Sequence, residues 1–211
     1  MFLENAAHNS VSFGWIEVIC GSMFSGKTEE LIRRIKRAQI AHLNVAIFKP
    51  VMDDRYDQNK VVSHDSNQLA AMPVAHSAQL FDLAQGFDVV GVDEAQFFDP
   101  AIVKVCNDLA NQGIRVIVAG LDMDYTGKPF GPMPALMATA EYVTKVHAIC
   151  TRTGRLAHFS FRTNQNDDLV LLGETDNYEA LSRSAFYSAM RDERSKQSNE
   201  TRAGNDPIPL S

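Results

Sequence analysis

One eight-residue segment has the residue types and spacing that bind the phosphates of a nucleotide. Residues 21–28 read Gly-Ser-Met-Phe-Ser-Gly-Lys-Thr and match the pattern G-x-x-x-x-G-K-[ST] at every fixed position. The glycines let backbone N–H groups converge on an anion, Lys27 adds a mobile charge for the β and γ phosphates, and Thr28 offers a hydroxyl to Mg²⁺. The alternative is a glycine-rich turn that merely caps a helix. The predicted nucleotide-binding residues here are Gly21, Ser22, Met23, Phe24, Ser25, Gly26, Lys27 and Thr28.

A pair of acids provides the second half of an Mg²⁺–nucleotide site. The apolar run Val89–Val92 is followed directly by Asp93 and Glu94. At the end of a strand, Asp93 suits the role of holding the metal, directly or through water. Glu94 points the other way because successive strand residues face opposite sides, and a carboxylate beside the metal but not on it is typical of a general base. The alternative is a polar strand end that caps the next helix, and the pair alone does not separate hydrolysis from group transfer.

The elements that must position these residues alternate along the chain. Apolar runs of strand length alternate with segments whose apolar residues recur at helical spacing. This order predicts right-handed crossovers and a largely parallel sheet covered on both faces, an α/β fold of the P-loop NTPase type with flanking helices. The predicted strands are Trp15–Cys20, Asn44–Phe48, Phe87–Val92 and Ile114–Ala119, with Val61 and Val62 as a further short run, and the helical segments begin at Thr28 and cover Pro100–Asn111.

The overall composition is that of an ordinary globular protein. The 211 residues are 45% hydrophobic and 22% charged, and 20 Lys and Arg against 26 Asp and Glu leave a net charge of −6. This acidic balance argues against a broad nucleic-acid-binding surface, and no run approaches the roughly 18 apolar residues of a membrane span. We therefore expect neither nucleic acid nor membrane as a partner. Three widely spaced cysteines encode no disulfide framework, and with no secretory signal at the start they favour a reducing, cytoplasmic location.

The pattern changes toward the C-terminus. Val143–Ile149 predicts a last strand, and the polar, turn-rich stretch from Cys150 to about Tyr178 has no long periodic segment. An irregular stretch of about 30 residues inside a compact chain is usually functional, so we interpret it as a small loop-like subdomain, followed by a short helix from about Tyr178 to Met190. The predicted division is a tail at 1–13, a nucleotide-binding domain at 14–147, the subdomain and helix at 148–190, and a polar tail at 191–211.

Longer segments beyond the phosphate loop are more specific. Residues 93–98 read Asp-Glu-Ala-Gln-Phe-Phe, and residues 119–125 read Ala-Gly-Leu-Asp-Met-Asp-Tyr, with Pro-Phe-Gly shortly after. Together with Asp-Asp-Arg-Tyr at 53–56 and Ser-His-Asp at 63–65, they resemble in order and spacing the type II thymidine kinase family, which contains the bacterial and animal cytosolic thymidine kinases. The resemblance extends from about Gly14 to Ser188, nearly the whole chain between the predicted tails.

This resemblance implies an activity and assigns roles to single residues. It implies transfer of the γ-phosphoryl group of ATP to the 5′-hydroxyl of thymidine, with Mg²⁺, and acceptance of deoxyuridine as well. Glu94 stands at the family's catalytic base, and Asp93 and Gln96 stand at positions around the phosphates and the metal. Asp53 and Arg55 match another stretch associated with the phosphates, where an arginine would stabilise charge on the transferring group. The family resemblance also suggests a homotetramer.

The resemblance further implies which residues contact the nucleoside. A flat pyrimidine with a methyl group needs aromatic and aliphatic walls, and in this family a loop called the lasso closes over the base and binds it mostly through main-chain hydrogen bonds. For any one side chain, the alternative is an ordinary core residue. The implied pocket residues are Met23, Phe97, Leu121, Tyr125 and Phe130, and those of the lasso region are Ser160, Leu169, Val170, Leu171, Leu172, Gly173 and Tyr178.

The sequence departs from the family where most members anchor the lasso with zinc. Those members use two cysteine pairs, whereas here the first pair reads Cys150 and Thr153, and the second falls on residues 182–185, Ser-Arg-Ser-Ala. Structural zinc needs four ligands, usually thiolate or imidazole, and only His147 and His158 are near enough in sequence to join Cys150. We therefore expect no structural zinc, a lasso held by packing, and Cys150 as a small buried side chain.

Two alternative functions stay open at this point. One is a broader deoxynucleoside kinase, because the lost zinc ligands can accompany a looser lasso. The other is a P-loop ATPase or nucleotide switch whose output is conformational. A switch needs a surface for its partner, and the sequence contains no long interaction tail or basic stripe.

Overall fold

Strands and helices alternate through most of the chain. The computed structural model describes residues 13–51, 60–62, 68–163 and 177–203. The strands are β1 Trp15–Gly21, β2 Val45–Pro50, β3 Lys60–Val62, β4 Gln68–Ala70, β5 Met72–Val74, β6 Val89–Val92, β7 Arg115–Leu121, β8 Tyr142–Lys145, β9 Ala148–Ile149, β10 Leu156–Ala157, β11 Phe159–Arg162 and β12 Tyr178–Leu181. The helices are α1 Lys27–Ile40, α2 Ser77–Leu83, α3 Ile102–Asn111, α4 Met133–Thr139 and α5 Arg183–Ala203, with a 3₁₀ turn at Ala95–Phe97.

A parallel sheet forms the centre of the described structure. Its six described strands pair in the order β5-β2-β6-β7-β1-β8, and every pairing is parallel. Since parallel strands share one direction, the carboxyl ends of β1, β6 and β7 meet at the same edge of the sheet. The predicted α/β fold is confirmed, and this edge is where the phosphate loop and the acid pair lie.

Helices cover both faces of the sheet. On one face, α1 buries Leu31 and Ile35 in a cluster with Ile19 and Ile117 of the central strands. On the other face, α2, α3 and α4 bury side chains such as Leu109 in a second, larger cluster. Each fully buried Leu or Ile contributes about 1.5–3 kcal/mol to stability. Because the central strands are buried on both faces, their sequences are continuous apolar runs.

A separate small core lies beyond the sheet. Strands β9 and β10 pair antiparallel, as do β11 and β12, and α5 packs against the second pair. Their shared cluster contains Phe159, Phe161 and Phe186, and the rings of Phe159 and Phe186 stack with centroids 4.4 Å apart. The described part of the predicted subdomain therefore has its own apolar core, built on short strands rather than on loops alone.

The helix predicted from Tyr178 to Met190 is wrong at both ends. Tyr178 lies in β12, and α5 begins at Arg183 and continues to Ala203, so the polar segment after Met190 starts as helix and not as an irregular tail. This segment has no glycine or proline before Gly204, and its Arg, Lys, Gln and Glu residues are good helix formers. Although α5 has 21 residues, none of the described helices is long and apolar enough to cross a membrane.

The single strand predicted at Val143–Ile149 is in fact two strands. Tyr142–Lys145 forms β8 at the edge of the main sheet, and Ala148–Ile149 forms β9 in the small subdomain. Between them, the N–H of Val146 donates to the carbonyl oxygen of Cys20 at 2.8 Å, after which the chain leaves the sheet. The apolar pattern runs through this bend, so periodicity did not reveal it.

Candidate active site

The phosphate loop joins β1 to α1 at the carboxyl edge of the sheet. A Cβ on Gly21 would come within 2.2 Å of the carbonyl oxygen of Val146, so only glycine fits there. Gly26, directly before α1, has a φ of 82°, in the left-handed region that favours glycine. The loop can therefore turn from strand to helix with the N-terminus of α1 directed at the position of an anion.

The side chain of Lys27 closes this loop on itself. Its Nζ donates to the carbonyl oxygen of Ser22 at 2.7 Å, and the Oγ of Ser25 donates to the same oxygen at 2.7 Å. Burial lowers the pKa of the Lys27 ammonium, and the carboxylates of Glu94 and Asp93 oppose that shift. The loop lysine is thus within electrostatic reach of the acid pair predicted to share its site.

Asp93 follows β6 and faces the start of α1. The Oγ1 of Thr28 donates to the Oδ2 of Asp93 at 3.4 Å, so the hydroxyl and the carboxylate predicted to hold Mg²⁺ meet in the structure. Burial, and then the neighbouring carboxylate of Glu94, raise the pKa of Asp93 to about 7. A buried carboxylate that is costly to ionise gains stability from a bound cation, and these two oxygen donors fit the ligand preference of Mg²⁺.

Glu94 has an unusual backbone conformation, and a hydrogen bond from Gln96 holds its side chain. Its φ is 52°, in the left-handed region, which is uncommon for a residue with a side chain and often marks a functional site. The Nε2 of Gln96 donates to the Oε2 of Glu94 at 2.5 Å, and the Oε1 of Gln96 accepts from the N–H of Leu121 at 2.9 Å. The side chain of Gln96 is therefore engaged with Glu94 and with the end of β7.

Five predicted pocket residues surround this edge of the sheet. Phe97 and Phe130 meet edge to face, with ring centroids 5.4 Å apart. Leu121 ends β7 beside Gln96, and the N–H of Met23 donates to the Oγ of Ser160 at 2.9 Å. The structure thus places Phe97 against Phe130, Leu121 beside Gln96, and the phosphate loop against strand β11.

Two further predicted pocket residues, Tyr125 and Tyr178, share a neighbour that the sequence reasoning missed. The guanidinium carbon of Arg162 lies 3.9 Å from the ring centroid of Tyr125, and its Nη2 donates to the hydroxyl of Tyr178 at 2.9 Å. One sequence signal was available, because Arg162 comes two positions after Ser160, and alternate residues of a strand share a face.

Several predicted site residues lie outside the described part of the chain. They belong to the stretch predicted to contact the phosphates and to the lasso. These residues are Asp53, Arg55, Leu169, Val170, Leu171, Leu172 and Gly173.

The positions that correspond to the zinc ligands of most family members hold one thiol, Cys150, two hydroxyls, Thr153 and Ser182, and an alanine, Ala185. Cys150 is buried, as predicted, and the Oγ1 of Thr153 donates to the Oγ of Ser182 at 3.2 Å. Burial raises the pKa of the Cys150 thiol, but hydrogen bonds from Thr153 and Ser182 outweigh that effect and lower it to about 6. Across the residues that the structure describes, no group of three His, Cys, Asp or Glu side chains is placed to hold a metal ion.

Comparison with known proteins gives a consistent result. A sequence model of the thymidine kinase family matches residues 14–186. The chain is 57% identical over 196 residues to a thymidine kinase of Bacteroides fragilis (strain YCH46), covering 93% of this chain and 98% of that protein. It is 59% identical over 175 residues to a thymidine kinase of Rhodothermus sp. (strain ITI 518), covering 83% and 82% of the two chains. It is 50% identical over 174 residues to a thymidine kinase of Bdellovibrio bacteriovorus, covering 82% and 85%.

Proposed function

Because the chain belongs to the thymidine kinase family, we propose that it transfers the γ-phosphoryl group of ATP to the 5′-hydroxyl of thymidine. The products are thymidine 5′-monophosphate and ADP. The observation that supports this proposal is that Glu94 acts electrostatically on Lys27 of the phosphate loop and bonds to Gln96, which directly precedes the Phe97 that meets Phe130. In the proposed reaction, this base faces the γ phosphate of ATP and the 5′-hydroxyl of thymidine.

The reaction assigns each group a separate task. The backbone N–H groups of residues 21–28 and the ammonium of Lys27 hold the β and γ phosphates and stabilise charge on the transferring group. The carboxylate of Glu94 accepts the proton of the 5′-hydroxyl as that oxygen bonds to the γ phosphorus and the bond to the β-bridging oxygen breaks. Thr28 and Asp93 would hold Mg²⁺, which neutralises phosphate charge when it is bound.

Gln96 has a different role in this proposal from the one that its position in the sequence suggested. Its amide group donates to Glu94 and accepts from Leu121, so it ties the base to the rigid end of β7. Gln96 is only 3% exposed, and Gly120 leaves the space that its side chain occupies. We therefore assign Gln96 as a positioning residue for Glu94.

A nucleoside panel tests the proposed activity directly. The protein is incubated with γ-labelled ATP, Mg²⁺ and each of thymidine, deoxyuridine, deoxycytidine, deoxyadenosine and deoxyguanosine. We expect label in the monophosphates of thymidine and deoxyuridine. Comparable rates on deoxycytidine or on the purines would replace the proposal with a broader deoxynucleoside kinase. Release of labelled phosphate without any nucleotide product would replace it with an ATPase or nucleotide switch.

Substitution of the base tests the mechanism. We expect Glu94→Gln to lower kcat by about two to four orders of magnitude, the range for loss of a general base, while ATP binding persists. Asp82→Asn, which removes one carboxylate from the exposed side of α2, is the matched control and keeps full turnover. A fully active Glu94→Gln enzyme would show that another group accepts the proton.

We also propose that the small subdomain contains no structural zinc. Thr153 and Ser182 stand where most members of the family have thiolates, and hydroxyls bind zinc too weakly to replace them. Activity should therefore survive a zinc chelator and be lost when Mg²⁺ is removed. Metal analysis that finds about one tightly bound zinc per chain would overturn this proposal.

Three further expectations depend on family resemblance and composition. They are acceptance of deoxyuridine, assembly as a homotetramer and a cytoplasmic location. The deoxyuridine arm of the panel tests the first expectation. Light scattering of the purified protein tests the second, and cell fractionation tests the third.

A further inference from the structure

Strand β11 presents two different surfaces on its two faces. Phe159 and Phe161 pack with Phe186 in the core of the small subdomain. The alternate residues, Ser160 and Arg162, point the other way, and both are almost completely buried, with exposures of 4% and 3%. Ser160 bonds to the phosphate loop, so this second face of β11 is the one that meets the candidate site.

Arg162 connects two aromatic rings that come from distant parts of the chain. Its partner across the antiparallel pair β11–β12 is Tyr178, whose hydroxyl accepts a hydrogen bond from Nη2 at 2.9 Å. Its guanidinium also stacks on Tyr125, with the central carbon 3.9 Å from the ring centroid. Tyr125 follows β7 of the main sheet, so one side chain links the parallel-sheet region to the small subdomain.

The guanidinium group is suited to this double contact. It is planar and always charged, so it can lie on the face of one ring while its N–H groups donate within its own plane to a second residue. A lysine ammonium is a compact point charge that cannot make both contacts with the same geometry. Because the guanidinium covers one face of Tyr125, only the other face and the edge of that ring are available to a nucleoside.

We propose that Arg162 is the positioning residue that sets the two tyrosine walls of the nucleoside pocket and so determines the affinity for thymidine. This inference rests on the proposed function, because Tyr125 and Tyr178 form pocket walls only if thymidine is the substrate. Arg162 acts through the two rings and takes no part in the transfer of the phosphoryl group. Its loss should therefore raise the KM for thymidine and leave the KM for ATP nearly unchanged.

The test compares Arg162→Met with Arg152→Met. Arg152 lies in the same subdomain, bonds to Glu179 at the surface and lies over the ring of Phe161 with its guanidinium carbon 5.3 Å from the ring centroid, so it is a matched arginine outside the site. We expect Arg162→Met to raise the thymidine KM by about 10- to 100-fold, the size of effect when a hydrogen bond to a charged group is lost, with an ATP KM within about two-fold of wild type. We expect Arg152→Met to behave as wild type.

A double-mutant cycle separates positioning from a general loss of stability. If Arg162 acts through the hydroxyl of Tyr178, then Arg162→Met combined with Tyr178→Phe raises the thymidine KM by less than the product of the two single effects. Arg162→Lys, which keeps the charge, should restore only part of the affinity. If Arg162→Met does not fold, the thymidine KM values of Tyr178→Phe and Arg162→Lys test the proposal instead.

The outcomes distinguish this inference from the proposed function. Wild-type protein that does not phosphorylate thymidine overturns both. Active wild-type protein together with an unchanged thymidine KM in Arg162→Met overturns only the inference. A lower kcat at unchanged thymidine KM also overturns it, because that result indicates fewer folded molecules and not a displaced pocket wall.

Discussion

Glu17 holds a buried charge network, and replacing it with glutamine should cost a large part of the stability. Its carboxylate is 0% exposed, and it accepts hydrogen bonds from Arg34 at 2.7 Å, Arg115 at 2.6 Å and the indole of Trp15 at 2.7 Å. The network joins β1, β7 and α1, and Arg34 also donates to the hydroxyl of Thr144 in β8. Removing the one carboxylate therefore affects contacts among four elements at once.

The size of the effect follows from the exposure of each partner. The side chain of Arg34 is 4% exposed, so its guanidinium cannot find water when Glu17 becomes neutral, although it keeps the carboxylate of Glu30 at 2.8 Å. Arg115 is 18% exposed and recovers part of its hydration. Breaking a buried ion pair by removing one partner costs about 3–5 kcal/mol. The glutamine amide adds a donor that faces two cationic donors. Because Glu30 still balances part of the charge of Arg34, we expect Glu17→Gln to lower the free energy of unfolding by about 3 kcal/mol, the lower end of that range, or roughly 6–12 °C in Tm for a chain of this length.

Urea unfolding followed by circular dichroism measures this loss. The control is Asp108→Asn, which removes one partner of the exposed Lys104–Asp108 pair and should cost less than about 1 kcal/mol. Burial raises the pKa of Glu17, but hydrogen bonds from Arg115, Trp15 and Arg34 together outweigh it and hold that pKa below its ordinary value. The stability that Glu17 contributes is therefore complete above the unfolded pKa and disappears as the pH falls through the lower folded pKa. A cost below about 1 kcal/mol at pH 7 would refute the argument that Glu17 is a main partner of the buried Arg34 guanidinium.

Two predictions concern the candidate site. Gln96→Glu keeps an acceptor for the N–H of Leu121 but removes the donor to Glu94. We therefore expect kcat to fall by about 10- to 100-fold, with an ATP KM near the wild-type value. Steady-state kinetics measure both constants, and an unchanged kcat would show that Gln96 does not position Glu94. Burial and Glu94 raise the pKa of Asp93 to about 7, so the folded protein loses stability as the pH rises from the unfolded pKa toward that value. Asp93→Asn should therefore stabilise the nucleotide-free protein by about 1–3 kcal/mol at pH 8 and not at pH 3, while abolishing Mg²⁺-dependent turnover. Urea unfolding at both pH values measures the free energy of unfolding. Equal stabilities of the variant and the wild type at pH 8 would contradict the argument that burial makes Asp93 costly to ionise.

The parts of the site that depend on consecutive residues could be predicted from sequence. The anion site proposed at residues 21–28 uses only their own backbone N–H groups and the helix that they begin, so the pattern itself specifies the geometry. Asp93 follows a buried strand as the sequence predicted, whereas Glu94 lies after the strand in a left-handed conformation with a φ of 52°, which the alternation of strand residues does not describe. The alternation of apolar runs was likewise sufficient for the α/β fold, since only a sheet covered on both faces buries them.

Tertiary structure alone decided the contacts between residues that are far apart in the chain. Gln96 reaches Leu121 because β6 and β7 are neighbours, and Arg162 meets Tyr125 and Tyr178 because of the pairing of β11 with β12 and the place where that pair docks. Such contacts depend on strand order and register, which no local pattern encodes. The start of α5 was mispredicted for a similar reason, since Tyr178 becomes a strand residue only by pairing with β11. The sequence by itself determined the fold class and the family activity, whereas the packing of distant strands decided how the side chain of Glu94 is held and which side chains surround the proposed nucleoside pocket.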